Sequence, residues 1–96
     1  MKKYQVTIHF TWNEEFAALI PSHRTYINHL INKEVIDQYV VSMESQRVWI
    51  TLNAKTKTEV KQLLKKSPLY QYWSFEIDEL FVLDGQMYRF PAVQPN

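Results

Sequence analysis

Apolar and polar residues alternate without a break from Tyr4 to Thr11. Tyr4, Val6, Ile8 and Phe10 fall on one face, and Gln5, Thr7, His9 and Thr11 on the other. A period of two predicts a half-buried strand. The period then changes. Asn13 offers a side-chain oxygen for an N-cap, and Glu14 and Glu15 suit the positive end of a helix dipole. After them Phe16, Leu19, Ile20, His23, Ile27, Leu30 and Ile31 recur at the spacing of one helical face. Pro21 lies inside this pattern. It predicts a kink, or a division into a short turn and a main helix that starts at Pro21.

Residues 35–43 are rich in Val, Ile and Tyr and read as a second strand. Glu44-Ser45-Gln46 is a polar turn. Alternation resumes from Arg47 to Asn53, with Val48, Ile50 and Leu52 on one side and Trp49 and Thr51 on the other, which predicts a hairpin. Thr56 and Glu59 have the spacing of a capping box, followed by Val60, Leu63 and Leu64 at helical intervals. Pro68 ends that helix. A long strand is expected from Tyr72 to Leu83. Asp84-Gly85 is a hairpin turn signal, with Gln86–Phe90 returning as a short edge strand that Pro91 closes. The order is the split βαβ, ferredoxin-like α+β plan βαββαβ with a C-terminal β-hairpin arm, in one domain spanning 1–96. Its helices cover one face of an antiparallel sheet. The bare face would carry Gln5, Thr7, His9 and Thr11 beside Arg47, Trp49 and Thr51. A second copy related by a two-fold axis is the simplest cover, so the expected partner is the chain itself, as a homodimer or a higher oligomer.

Composition narrows the chemistry. The 96 residues include one glycine, Gly85, and no cysteine. Glycine-rich phosphate loops and the Gly-x-Ser-x-Gly nucleophile elbow are therefore excluded. So are disulfides, thiolate zinc sites and cysteine nucleophiles. Eleven Lys and Arg face ten Asp and Glu, a net charge of +1. This gives no basic excess for nucleic acid or an anionic membrane surface. The lysines around helix two (Lys55, Lys57, Lys61, Lys65 and Lys66) read as a solvated face. Arg47–Leu52 echoes the central strand of RNA-recognition domains, but the glycine and repeated aromatics of that strand are missing. No apolar run approaches the roughly 18–20 residues of a membrane span. Met1-Lys2-Lys3 begins like a leader, but Gln5, Thr7 and His9 break up the apolar stretch a leader would need next. The expected location is cytoplasmic, with the first residues entering the fold directly. The chain also holds 3 Trp, 6 Tyr and 5 Phe. So much ring surface in a short chain points to an interface, a pocket or both.

His23 is the sharpest candidate. It lies between Ile20 and Ile27 on the apolar face of helix one, aimed at the sheet. A neutral imidazole in a cleft there is suited to proton transfer near neutral pH. The plainer alternative is a core histidine tied by a hydrogen bond. Arg24 follows at the helix edge, either as an anchor for a substrate carboxylate or as a surface arginine. Asp37, at the start of strand two, either orients His23 as a carboxylate orients a general base or solvates a strand end. Tyr39, Tyr72 and Trp73 are the expected binding wall for a flat organic ligand. Tyr70 and Phe75 complete an aromatic cluster that serves equally as core and interface. His9 should face the bare side of the sheet and His29 the solvent. The three histidines lack a short metal-ligand spacing, so no metal is expected, and no other cofactor is expected either.

The stretch Ser67-Pro68-Leu69-Tyr70-Gln71-Tyr72-Trp73-Ser74-Phe75-Glu76-Ile77-Asp78-Glu79-Leu80 resembles the C-terminal signature of muconolactone isomerases. Pro68, Leu69, Tyr72, Glu76, Asp78 and Leu80 match by identity, and Tyr70 stands where that family has Phe. The register carries back without a gap to near Leu19, roughly two thirds of the chain. Helix one, with Pro21-x-His23 and Leu30, is also similar to the YciI-like proteins. Both families are dimeric α+β barrels of ferredoxin-like subunits, and the resemblance implies that fold and that dimer. It further implies a cofactor-independent isomerase that moves a proton on a small lactone or organic acid. The alternative is a non-catalytic ligand-binding or assembly protein of the same fold. The sequence departs from muconolactone isomerases where His23 replaces a helix-one acid, and where Val41 and Asp37 replace basic residues.

Overall fold

The computed structural model describes residues 1–85. Strand β1 (Lys2–Phe10) leads into helix α1 (Glu14–Asn32), strands β2 (Ile36–Ser42) and β3 (Arg47–Ala54), helix α2 (Lys57–Lys65), a single 3-10 turn (Tyr70–Tyr72) and strand β4 (Trp73–Glu79). The four strands form one antiparallel sheet in the order β2-β3-β1-β4. This is the ferredoxin-like α+β arrangement that the alternating periods indicate. No helix among the described residues is long and apolar enough to cross a membrane.

Burial follows the strand alternation. Tyr4, Val6, Ile8 and Phe10 of β1, and Val48, Ile50 and Leu52 of β3, turn to the helices and are buried. Phe16, Ile27 and Leu30 of α1, with Val60 and Leu64 of α2, close the core from above. The register aligns the residues of the other face in rows. Ser42, Arg47, His9 and Ser74 form one row, and Val40, Trp49, Thr7 and Glu76 the next. A bulge in β2 between Ile36 and Gln38 shifts its alternation by one residue, so Tyr39 opposes Ile50 and faces the core side.

The helix ends obey local chemistry. Asn13 Oδ1 accepts the Phe16 N–H at 2.8 Å, and Thr56 Oγ1 accepts the Glu59 N–H at 3.1 Å. Glu59 reaches back to the Lys55 N–H at 2.6 Å, one residue earlier than a standard capping box. Helix α1 ends in a Schellman motif. Val35 N–H bonds to Leu30 O and Glu34 N–H to Ile31 O, both at 2.9 Å, with Glu34 at φ 63°.

Two expectations need correction. Pro21 does not divide the first helix, which runs unbroken from Glu14 to Asn32. Pro21 sits on the exposed side. Its ring therefore crowds no core contact, and the Ala17 carbonyl it leaves without an N–H partner lies at a partly exposed turn open to water. The last strand ends at Glu79 rather than Leu83. Glu79 already opposes Tyr4, and Leu80 N–H makes a final bond to Lys3 O at 2.8 Å. Beyond that point the β1–β4 ladder stops although Lys2 of β1 lies next in register, and Phe81 stands fully exposed. The expected return strand Gln86–Phe90 and its closing Pro91 lie outside the described residues.

Candidate functional site

Helix α1 is held over the sheet by its apolar stripe, and one end of that contact is not filled. The gap is a cleft of about 120 Å³ between α1 and the ends of β1, β2 and β4. From α1 come Phe16, Ile20, His23 and Arg24; from the sheet come Phe10, Tyr39, Val48 and Trp73; Leu69 closes the back. Trp12, Val41 and Met43 form the mouth, and all three are exposed. The walls are almost wholly apolar, and the aromatic rings pack in series. Phe10 stacks on Phe16 at 5.0 Å between centroids, and Trp12 leans on Phe16 at 5.6 Å. A packed protein interior leaves few voids larger than a water molecule. For scale, a dry apolar cavity of about 150 Å³ takes up benzene.

His23 is 2% exposed and lies in a chain of hydrogen bonds. Its Nδ1 is 2.7 Å from Ser67 Oγ and its Nε2 is 2.7 Å from Tyr39 Oη. Ser67 Oγ also accepts the Leu69 N–H at 3.0 Å. Burial, aided by the neighbouring Arg24 charge, lowers the His23 pKa from 6.5 to about 4, so the ring is neutral at physiological pH. Burial likewise pushes the Tyr39 hydroxyl up to about 12, against the opposing pull of Arg24. Tyr39 is therefore a protonated phenol. The Arg24 guanidinium lies 5.2 Å from the centroid of the Tyr39 ring, which is cation–π distance. The Trp73 ring meets His23 edge-on at 5.6 Å, and its buried indole N–H has no hydrogen-bond partner among the described residues.

The structure thus brings His23, Arg24, Tyr39 and Trp73 together around one cleft. It places two other candidates elsewhere. Asp37 does not orient His23. Its carboxylate binds Lys3 Nζ and accepts from Asn53 Nδ2 at 3.1 Å, and both His23 nitrogens are taken by hydroxyls. The β2 bulge accounts for this, because it breaks the alternation between Ile36 and Gln38 and Asp37 sits in it. Tyr72 does not line the cleft. It packs edge-on against the outer side of Phe16 at 5.8 Å and bonds Glu15 at 3.2 Å. Ser67 is the functional candidate that sequence reasoning misses. Its only signal is a serine between the end of α2 and Pro68, a place a helix-terminal hydrogen bond explains equally well. No protein-family model and no curated protein matches the sequence.

Proposed function

We propose that the protein binds a small organic acid or lactone in the cleft under α1 and shifts a proton on it without a cofactor. The observation that carries this reading is the Ser67–His23–Tyr39 chain running from the interior to an apolar cleft with Arg24 beside it. Arg24 supplies a fork of donors for a carboxylate. The apolar walls take the body of the ligand. Tyr39 supplies a hydroxyl to a carbonyl oxygen as negative charge develops there, in a site where water is scarce and such a bond is strong. His23 stands behind Tyr39 and holds its oxygen by a hydrogen bond, while water at the open mouth of the cleft takes up and returns the carbon-bound proton. The resemblance of Ser67–Leu80 to muconolactone isomerases supports this reaction class. In the same reading the protein is a cytoplasmic homodimer. The half-buried Trp49 and exposed Val40, side by side on the face away from the helices, supply the start of an interface.

A binding-only role is the second reading, favoured by one observation: both His23 nitrogens are already engaged within the protein. The two are separated by incubating small lactones and unsaturated acids with the protein in D2O. Ligands that raise the thermal midpoint are tested for solvent deuterium at the position next to the carbonyl. Deuterium incorporation that Tyr39→Phe abolishes supports proton transfer. Stabilisation with no incorporation for any ligand leaves binding alone. Sedimentation at micromolar concentration tests the dimer, which a stable monomer would overturn.

A further inference from the structure

The hydrogens of the Ser67–His23–Tyr39 chain are not free to choose their order. Ser67 is 5% exposed, so water does not serve it. Its oxygen already accepts the Leu69 N–H, and among the described residues its one other polar neighbour is His23 Nδ1. A buried hydroxyl hydrogen needs an acceptor, and Nδ1 is the one at hand. Nδ1 is therefore the bare nitrogen of the neutral ring. The ring hydrogen is then on Nε2, which donates to Tyr39 Oη. The other polar group at Tyr39 is Arg24, whose guanidinium lies over the ring and carries only donors. The Tyr39 hydrogen has no acceptor among the described residues, and Tyr39 lines the cleft. The opposite order would leave the Ser67 hydrogen buried and unbonded, whereas this one leaves over a hydrogen that can point into open space.

We infer that Ser67 fixes His23 in the Nε2–H form and so turns the Tyr39 hydroxyl hydrogen into the cleft, where it selects ligands that present an oxygen acceptor. Tyr39 O–H and the Arg24 guanidinium are then two donors facing one ligand. A carboxylate or a carbonyl satisfies them, and an ammonium group of the same size does not. Ser67 is a positioning residue that acts through His23 and touches no ligand. The ligand half of this inference rests on the acid-binding reading above; the hydrogen order stands without it.

The order is read directly by nitrogen-15 NMR of the histidine rings in the free protein. Nδ1 of His23 should resonate as a bare nitrogen and Nε2 as a protonated one, and the reverse assignment would overturn the inference. In Ser67→Ala the hydroxyl that decides between the two forms is gone, and the Nδ1–H form should appear beside the Nε2–H form. A ring still wholly Nε2–H there would show that Ser67 does not set the order. Benzoate and benzylamine then probe the cleft. Benzoate should bind the wild type, tenfold or more weaker in Tyr39→Phe, and with a smaller loss in Ser67→Ala. Benzylamine binding as tightly as benzoate would sink the acceptor rule. An Nε2–H ring with no benzoate binding would confirm the hydrogen order and refute the acid-binding function instead.

Discussion

The neutral His23 ties stability to pH in a way that can be worked out from its surroundings. Burial beneath α1 and the adjacent Arg24 lower its pKa from 6.5 to about 4. The unfolded chain therefore takes up a proton below pH 6.5 that the folded chain refuses until about pH 4. Stability is complete above that window and falls as the pH drops through it. Each unit of pKa difference is worth about 1.4 kcal/mol, so the full loss has a ceiling of about 3 kcal/mol by pH 4. Between pH 7 and pH 5 it comes to about 2 kcal/mol by the same linkage relation. Relaxation of the surroundings around a charged ring reduces this, and a loss of about 1.5 kcal/mol is expected. Aspartate and glutamate side chains ordinarily titrate below about pH 5, so the interval from 7 to 5 isolates histidine. Urea unfolding of wild type and His23→Gln across this interval is the assay. Glutamine keeps a donor and an acceptor facing Ser67 and Tyr39 but never charges. His9 and His29 are common to both proteins, so the difference between the two slopes belongs to His23. The wild-type midpoint should fall by about 1 M urea, and that of His23→Gln by much less. Equal slopes would refute the claim that His23 is held neutral by burial.

Single contacts set the other expected outcomes. Glu34 occupies the left-handed position of the α1 Schellman motif at φ 63°, where a side chain is strained; Glu34→Gly should raise stability by about 0.5–1 kcal/mol in urea unfolding. Asp37→Ala removes one of the two partners of Lys3 and should cost about 1 kcal/mol. The same variant should leave the His23 titration unchanged by NMR, because Asp37 does not touch that ring. Ile8→Ala empties a fully buried position between the sheet and the helices and should cost about 3 kcal/mol, seen in the same unfolding experiment.

How much of this was legible in the sequence depended on whether a signal was local. The period-two runs at Tyr4–Thr11 and Arg47–Asn53 named the buried faces of β1 and β3 residue by residue, because alternation is a property of the strand itself. The caps at Asn13 and Thr56 were equally plain, since each acts on N–H groups within three residues. The end of β4 was not legible. Val82 and Leu83 continue an apolar pattern, but a strand persists only where a neighbour pairs with it, and the bonds between β1 and β4 stop at Leu80. The site divided along the same line. The helical stripe placed His23 against the sheet, and a helix edge placed Arg24 near it. What His23 meets there depends on the β2 bulge, which sets Tyr39 opposite Ile50 and takes Asp37 away to Lys3. Nothing in the residues 35–43 marks a bulge, so a reading based on alternation gave the carboxylate the role that two hydroxyls hold. Ser67 lies 44 residues from His23 along the chain and meets it only after both helices have packed on the sheet. The consequence is chemical as well as topological. A carboxylate partner would favour a charged imidazolium, whereas hydroxyl partners in a buried setting keep the ring neutral. In the proposed function the site therefore passes or withholds hydrogen bonds, and selectivity there rests on which atom of Tyr39 faces the ligand.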